Sequence, residues 1–354
     1  MKIAVFSDLH GHKYKDFDTR TEGTGSQRLD NIVNTLAFIR DDCEKRGIKY
    51  VLFAGDMFHI RSKVDTVVFN AIYDMIKTFK ERGITIIGIP GNHDQHDNSD
   101  VPQHSLHTFN ELDGVHIYGD LDIHFIEEEG EYVDIYCVPY SKNAQRIKDW
   151  IDSQEMLTGS STRINLFHLG IDGGFVGSGN YPMADAFQPE DLRPNFFKYV
   201  VGGHFHKAQF LGGYNNFLYT GAPIQHSFGD EGEDKGYYIL DTARRLDIKF
   251  VPIPNPKFIT MSATDAVNED MEAHAEAGNY IRIHAAEKDV QYVVTHLPPG
   301  LKYKIIIEKT YEEQSRVAVK IGMSEEDVIK TYAEKYNPVA VEVGLKILEE
   351  VKNR

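Results

Sequence analysis

Six runs of apolar, β-rich residues mark the first two thirds of the chain: KIAVFSD, YVLFAGD, ITIIGIPGNHD, VDIYCVPY, INLFHLG and YVVGGHFH. Their apolar character is continuous rather than alternating, which predicts strands buried on both faces. Between the first three, Leu29, Ile32, Val33, Leu36 and Ile39 recur at helical spacing, as do Val64, Val67, Val68, Ala71, Ile72, Met75, Ile76 and Phe79, so the chain opens β-α-β-α-β. Later, YNNFLYTG and GYYILDT around Gly-rich turns predict antiparallel pairs. The expected class is α/β, a mixed sandwich more than a doubly wound sheet.

Pro252, Pro254 and Pro256 break any helix or central strand and predict a linker. Beyond it YIRIHAA, EKDVQYVVTHL and KYKIIIEK predict a small β-α-β unit, and two helices follow, the first N-capped by Ser324 with Asp327 three residues on. The expected domains are 1–255, 256–311 and a helical segment 312–354. Residues 11–27 form a polar loop long enough to be functional, with no readable role. The C-terminal stripe of Val339, Val343, Ile347 and Leu348 packs either on the chain's own preceding β-α-β unit or, the favoured reading, on a partner, while that of Val64, Val67, Val68, Ala71, Ile72 and Met75 most simply packs on the sheet.

The 354 residues exceed the ~250–300 at which single cores stop growing. No apolar run approaches a membrane span, and the N-terminus reads as a strand rather than a signal peptide, so a cytoplasmic protein is expected. Cys43 and Cys137 are read as reduced core thiols. A net charge of -16 argues against broad attraction to nucleic acid.

The position of the polar donors revises that. Five of the six runs end in metal-binding side chains: Asp8 and His10, Asp56, Asn92 with His93 and Asp94, His168, and His204 with His206. Carboxyl ends of strands form the ligand-binding edge of an open α/β sheet, so the groups converge on one crevice. The donors suffice for two divalent ions, and a carboxylate, amide and imidazole set without thiolate suits Mn²⁺, Fe²⁺ or Zn²⁺. Such a pair clamps a phosphate and acidifies a bridging water, chemistry that fits phosphoester hydrolysis.

Taken together, Asp8-x-His10, Gly55-Asp56, Gly91-Asn92-His93-Asp94, His168 and Gly203-His204-x-His206 resemble the calcineurin-like metallophosphoesterase superfamily over roughly residues 1–245. The resemblance implies one ion on Asp8, His10 and His206, the other on Asn92, His168 and His204, with Asp56 bridging. It also implies that His93 faces the substrate. Asp94 is read equally as a turn residue or as a partner orienting His93. His59, three residues after Asp56, resembles the SbcD-type branch, kin to the meiotic-recombination nucleases of double-strand-break repair. That branch implies a metallophosphoesterase sandwich with a small β-α-β capping domain and a C-terminal helical segment. It further implies Mn²⁺ as the foremost metal, DNA as substrate, a homodimer, and a coiled-coil ABC-type ATPase (SbcC-like) as partner, in a bacterial or phage-infected cell.

The function so read is that of a DNA exo- and endonuclease, one member of a complex, degrading duplex ends 3′ to 5′ and cleaving single strands. His93 would serve the leaving oxygen and His59 the phosphate. The rivals are a small-molecule phosphodiesterase or phosphatase, and a non-catalytic DNA-end tether. His96, His104, His107, His116, His124, His226, His274, His284 and His296 are read as surface or loop residues, Asp16 and Asp18 as solvated loop charges, and Asp97 and Asp100 as turn formers. No function is assigned to the Tyr219–Asp230 segment or to His12.

Overall fold

The computed structural model describes residues 1–154, 161–176, 181–182, 187–308 and 322–352. In chain order they form β1 (Lys2–Phe6), α1 (Gln27–Lys45), β2 (Tyr50–Ala54), α2 (Thr66–Glu81), β3 (Thr85–Ile89), β4 (Val115–Ile117), β5 (Asp122–Glu128), β6 (Glu131–Val138), α3 (Ala144–Ser153) and β7 (Thr162–His168). There follow β8 (Phe175–Val176), β9 (Tyr181–Pro182), β10 (Tyr199–Gly203), β11 (Gln209–Phe210), β12 (Phe217–Tyr219), β13 (Gly236–Asp241) and β14 (Ile248–Pro252). The remainder is β15 (Phe258–Ser262), α4 (Ala263–Asn268), α5 (Met271–Glu276), β16 (Tyr280–Ala286), α6 (Val290–His296), β17 (Lys302–Glu308), α7 (Glu325–Tyr336) and α8 (Val341–Lys352). All six apolar runs are strands. Val64 lies before the second helix, whose N-cap is Asp65.

Two six-stranded sheets carry the fold, in the orders β14-β13-β1-β2-β3-β4 and β11-β12-β10-β7-β6-β5. Side chains of period two sort to their faces. Ile3, Val5, Leu52, Ala54, Ile87 and Ile89 meet Ile135, Cys137, Ile164, Leu166, Tyr199 and Val201 between the sheets. Ala4, Phe6, Val51, Phe53 and Ile86 point the other way, onto Leu29, Ile32, Leu36 and Ile39 of α1 and Val68, Ile72, Ile76 and Phe79 of α2. Both faces of the central strands are therefore covered, which explains their unbroken apolar sequence.

β1, β2 and β3 are mutually parallel, and so are β7 and β10, so within each sheet these carboxyl ends lie at one edge. The expectation for YNNFLYTG is half met: β12 pairs antiparallel with β11 but parallel with β10. β13 is antiparallel to both β1 and β14. A third, three-stranded sheet, β15-β16-β17, packs Ile281 and Ile283 against Ala266, Met271 and Val293 of its helices.

The chain divides into two compact units, Met1–Ile306 and Ile307–Arg354. In the second, Ser324 caps α7 by accepting the Asp327 N–H at 3.1 Å. A Cβ on Gly344 would come within 2.7 Å of Ile329, so the two helices cross closely there. Val343, Ile347 and Val351, four residues apart on α8, stay more than half exposed, and Val339 is 87% exposed. No helix among the described residues is long and apolar enough to cross a membrane.

Candidate metal centre

The turns that end β1 and β2 are tied together, Asp8 N–H donating to Gly55 O at 2.9 Å and His10 N–H to Asp56 O at 3.0 Å. Asp8, His10, Asp56 and His204 all adopt positive φ, at 52°, 48°, 62° and 106°. Such backbone costs ~1–3 kcal/mol per non-glycine residue and survives only where the surroundings enforce it, most often at functional sites. Close approach explains the glycines beside them. A Cβ on Gly91 would lie 2.1 Å from Asp56 Oδ1, and one on Gly55 2.4 Å from His168 Nδ1.

All seven donors read from the sequence come together. Asp56 Oδ2 lies 3.6 Å from His10 Nε2 and 3.4 Å from His168 Nε2. Asn92 Oδ1 lies 3.1 Å from His168 Nε2 and 3.0 Å from His204 Nδ1, and His206 Nε2 is 2.9 Å from His10 Nε2. Asp8 Oδ1 is 3.9 Å from His10 Nε2, and the Asp8 carboxylate also receives the His204 N–H and the Ser7 hydroxyl.

The residues fit a pair of cations. Donors bound at ~2.0–2.2 Å to one ion sit ~3–4 Å apart, and the separations here run from 2.9 to 3.9 Å. The lone pairs agree with that fit. His168 Nδ1–H donates to Ala54 O at 2.6 Å, so in the neutral ring Nε2 presents a lone pair to the oxygens of Asp56 and Asn92. That arrangement is repulsive unless a positive charge lies between them. Accordingly, burial alone would lower the His168 pKa, but the Asp56 carboxylate overrides it and lifts it to about 9. Burial pushes His204 down to about 4, leaving a neutral imidazole able to ligate. Asp56 is held far below the carboxylate range, because His168 and His10 outweigh the burial that would raise it.

His93 and His59 stand against this cluster, their rings stacked at 5.7 Å and 17°. His93 Nδ1–H donates to His59 O at 2.6 Å, and the His93 ring meets that of His10 edge-on at 4.8 Å. Burial and the neighbouring His93 and His12 bring His59 down to about 4. Asp94 is a turn residue rather than a partner of the His93 ring. Its buried carboxylate accepts the N–H groups of Asp56, Met57, Phe58 and Gly91, which shapes the Asp56 turn; burial and Asp56 raise its pKa to about 7.

Two sequence readings need correction. His226 lies in a loop but not at the surface: only 8% exposed, it packs edge-on against His10 at 5.4 Å, and its Nε2 lies 3.2 Å from the Asp8 carbonyl. Asp230 receives its backbone N–H at 2.9 Å. The Tyr219–Asp230 segment thus backs the donors. Asp18 is not a solvated charge: Oδ1 accepts from Ser26 Oγ and Arg28 N–H, both at 3.0 Å, pinning the 11–27 loop to the start of α1. His104 and His124 are half-buried, His124 Nδ1 lying 2.7 Å from the Tyr118 hydroxyl.

The calcineurin-like phosphoesterase family matches residues 1–208. Among curated proteins the chain is 25% identical over 257 residues to exonuclease subunit 1 of Enterobacteria phage T4, covering 71% of this chain and 68% of that one. It is 23% identical over 248 residues to the SbcD component of the SbcCD nuclease of Rhodobacter capsulatus, spanning 58% of this chain and 60% of that relative. Among solved structures, a dimetal phosphatase from Danio rerio aligns with TM-score 0.43 at 7% identity, over 71% of this chain and 98% of that one. Strand ends that gather two carboxylates, an amide and four imidazoles, within a family match over more than half the length, place this chain in the calcineurin-like phosphoesterase family.

Proposed function

We propose that the chain is the nuclease component of a DNA-processing complex, a Mn²⁺-dependent phosphodiesterase that degrades duplex ends 3′ to 5′ and cuts single strands. Asp8, His10 and His206 would hold one ion, Asn92, His168 and His204 the other, and Asp56 both. The observation that carries this reading is the stacked His59–His93 pair set against the donor cluster. The names of the phage T4 and Rhodobacter capsulatus relatives support it.

Bound there, two divalent ions supply Lewis acidity, drawing charge from the phosphate and acidifying a water. The protein does the rest. The His93 Nδ1–H bond to His59 O fixes the ring, so in its doubly protonated form the other nitrogen carries the proton that would pass to the leaving 3′-oxygen. His59, half-buried and stacked on His93, would supply a second imidazole for the phosphate oxygens. Asp56 accepts the His93 N–H at 2.8 Å, which couples the bridging carboxylate to the substrate-side backbone.

A homodimer and a coiled-coil ABC-type ATPase complete the proposal, in the cytoplasm of a bacterium or phage-infected cell. The exposed stripe Val343, Ile347 and Val351 supports a partner on α8. The test is direct: with Mn²⁺ the purified chain should shorten 3′-labelled linear DNA, and chelation should stop it. Rapid turnover of a phosphomonoester with DNA left untouched would overturn the nuclease reading in favour of a small-molecule phosphatase.

A further inference from the structure

A pocket of about 360 Å³ opens beside the donor cluster, and His59 and His206 form part of its wall. Anything bound in it therefore lies beside two side chains of the candidate metal centre. Its volume falls within the ~300–1,000 Å³ of small-molecule sites. Three flat rings, Tyr14, Phe228 and Phe258, contribute further wall, with Phe228 and Phe258 edge-to-face at 4.9 Å and Tyr14 lying 5.6 Å from His226 at 33°.

The walls are preformed. Arg28, 4% exposed, has its guanidinium 4.8 Å from the Tyr14 ring centre, 5.1 Å from Phe258 and 4.9 Å from Tyr280. The same group donates to Asp16 O at 3.0 Å and to His226 O at 2.8 Å. One side chain of α1 thereby fixes the 11–27 loop, the 220–230 segment and the first two strands of the three-stranded sheet. The lining does not repel an anion. Asp230 is paired with Lys235 at 3.1 Å and receives the N–H groups of His226 and Ser227, while Asp16 lies 3.9 Å from Lys304 Nζ.

Resting on the nuclease reading above, we propose that this pocket seats the nucleoside on the His206 side of the scissile phosphate. The base would lie among the rings of Tyr14, Phe228 and Phe258. Every base has a π-face, so such a seat favours nucleotides over other phosphodiesters without reading sequence. The strand after the linker, through Phe258, thereby becomes part of substrate selection.

The test uses the full chain loaded with Mn²⁺ and two kinds of ester: the better cleaved of the 5′- and 3′-(p-nitrophenyl) phosphates of thymidine, and bis(p-nitrophenyl) phosphate. The expected result is a higher kcat/KM for the thymidine ester. Phe228→Ala and the bulk-preserving Phe228→Leu should each cut that preference about tenfold, through KM. Independently of turnover, calorimetry should show thymidine 5′-phosphate binding more tightly than methyl phosphate, with the advantage reduced about tenfold in both variants. If both preferences are unmoved in the variants while the unmodified chain cleaves DNA, the pocket assignment is overturned alone. If the unmodified chain hydrolyses the bis ester but neither DNA nor the thymidine ester, the nuclease reading falls with it.

Discussion

His93 is separated from the donors by one bond of sequence and by its task. Its backbone N–H is spent on Asp56 and its Nδ1–H on His59 O, so replacing the ring removes a proton carrier and no expected ligand. His93→Ala should lower DNA cleavage by ~10²–10⁴-fold. Manganese content, measured by elemental analysis after gel filtration, should stay at the unmodified level; a parallel loss of metal would assign His93 to ligation instead. The two thiols give a simpler expectation. Burial pushes Cys43 up to about 12 and moves Cys137 in the same direction, so neither forms thiolate in the folded chain near neutral pH. A thiol-disulfide reagent should find both unreactive until denaturant is added. The donors themselves were legible from the sequence, because each closes its own apolar run and its placement is local to that strand. His226 was not. Its contact with the Asp8 carbonyl joins residues 218 apart, and no local pattern marks a loop that folds back over the first strand.

The turns ending β2 and β3 form a single packed element. Asp94 holds four backbone N–H groups, three of them at Asp56, Met57 and Phe58, and the glycine before Asn92 leaves no room for a methyl group beside Asp56. Asp94→Ala would strand several buried donors together and should destabilise the fold by about 3 kcal/mol, read as a lower midpoint in urea. Gly91→Ala should displace the Asp56 carboxylate. The expected outcome is weaker manganese binding by equilibrium dialysis, and two tightly bound ions per chain would refute it. The alternation of strands and helices up to β3 follows from hydrophobic spacing alone. The parallel partner of β12 did not, since a three-residue strand holds too little pattern to choose between neighbours in a sheet.

Across the whole molecule, a net charge of -16 leaves only small local excesses of positive charge. Lys15, Lys302 and Lys304 line a groove of about 540 Å³ together with Asp16, Asp18, Phe17 and Tyr303, and the groove shares Lys15 and Asp16 with the pocket beside the candidate metal centre. Binding of DNA by the isolated chain should therefore be weak and fall steeply with salt, and tight duplex binding at physiological salt without a partner would contradict this. The division after Ile306 makes a further separation testable. A chain ending at Glu308 should still hydrolyse bis(p-nitrophenyl) phosphate with Mn²⁺ but should lose capture of a coiled-coil ATPase, as read by co-purification. The central place of β1 bears on how the molecule is made. Its first partner, β2, is translated early, but its other partner, β13, spans Gly236–Asp241. Until that segment leaves the ribosome, the strand carrying Asp8 and His10 remains a bare edge, open to pairing with the wrong chain. The strand that leads into Asp8 and His10 is thus completed only by a segment that lies far later in the chain. A fragment stopping at residue 208, where the family match ends, would lack β12, β13, β14 and His226, and would be left with that edge open.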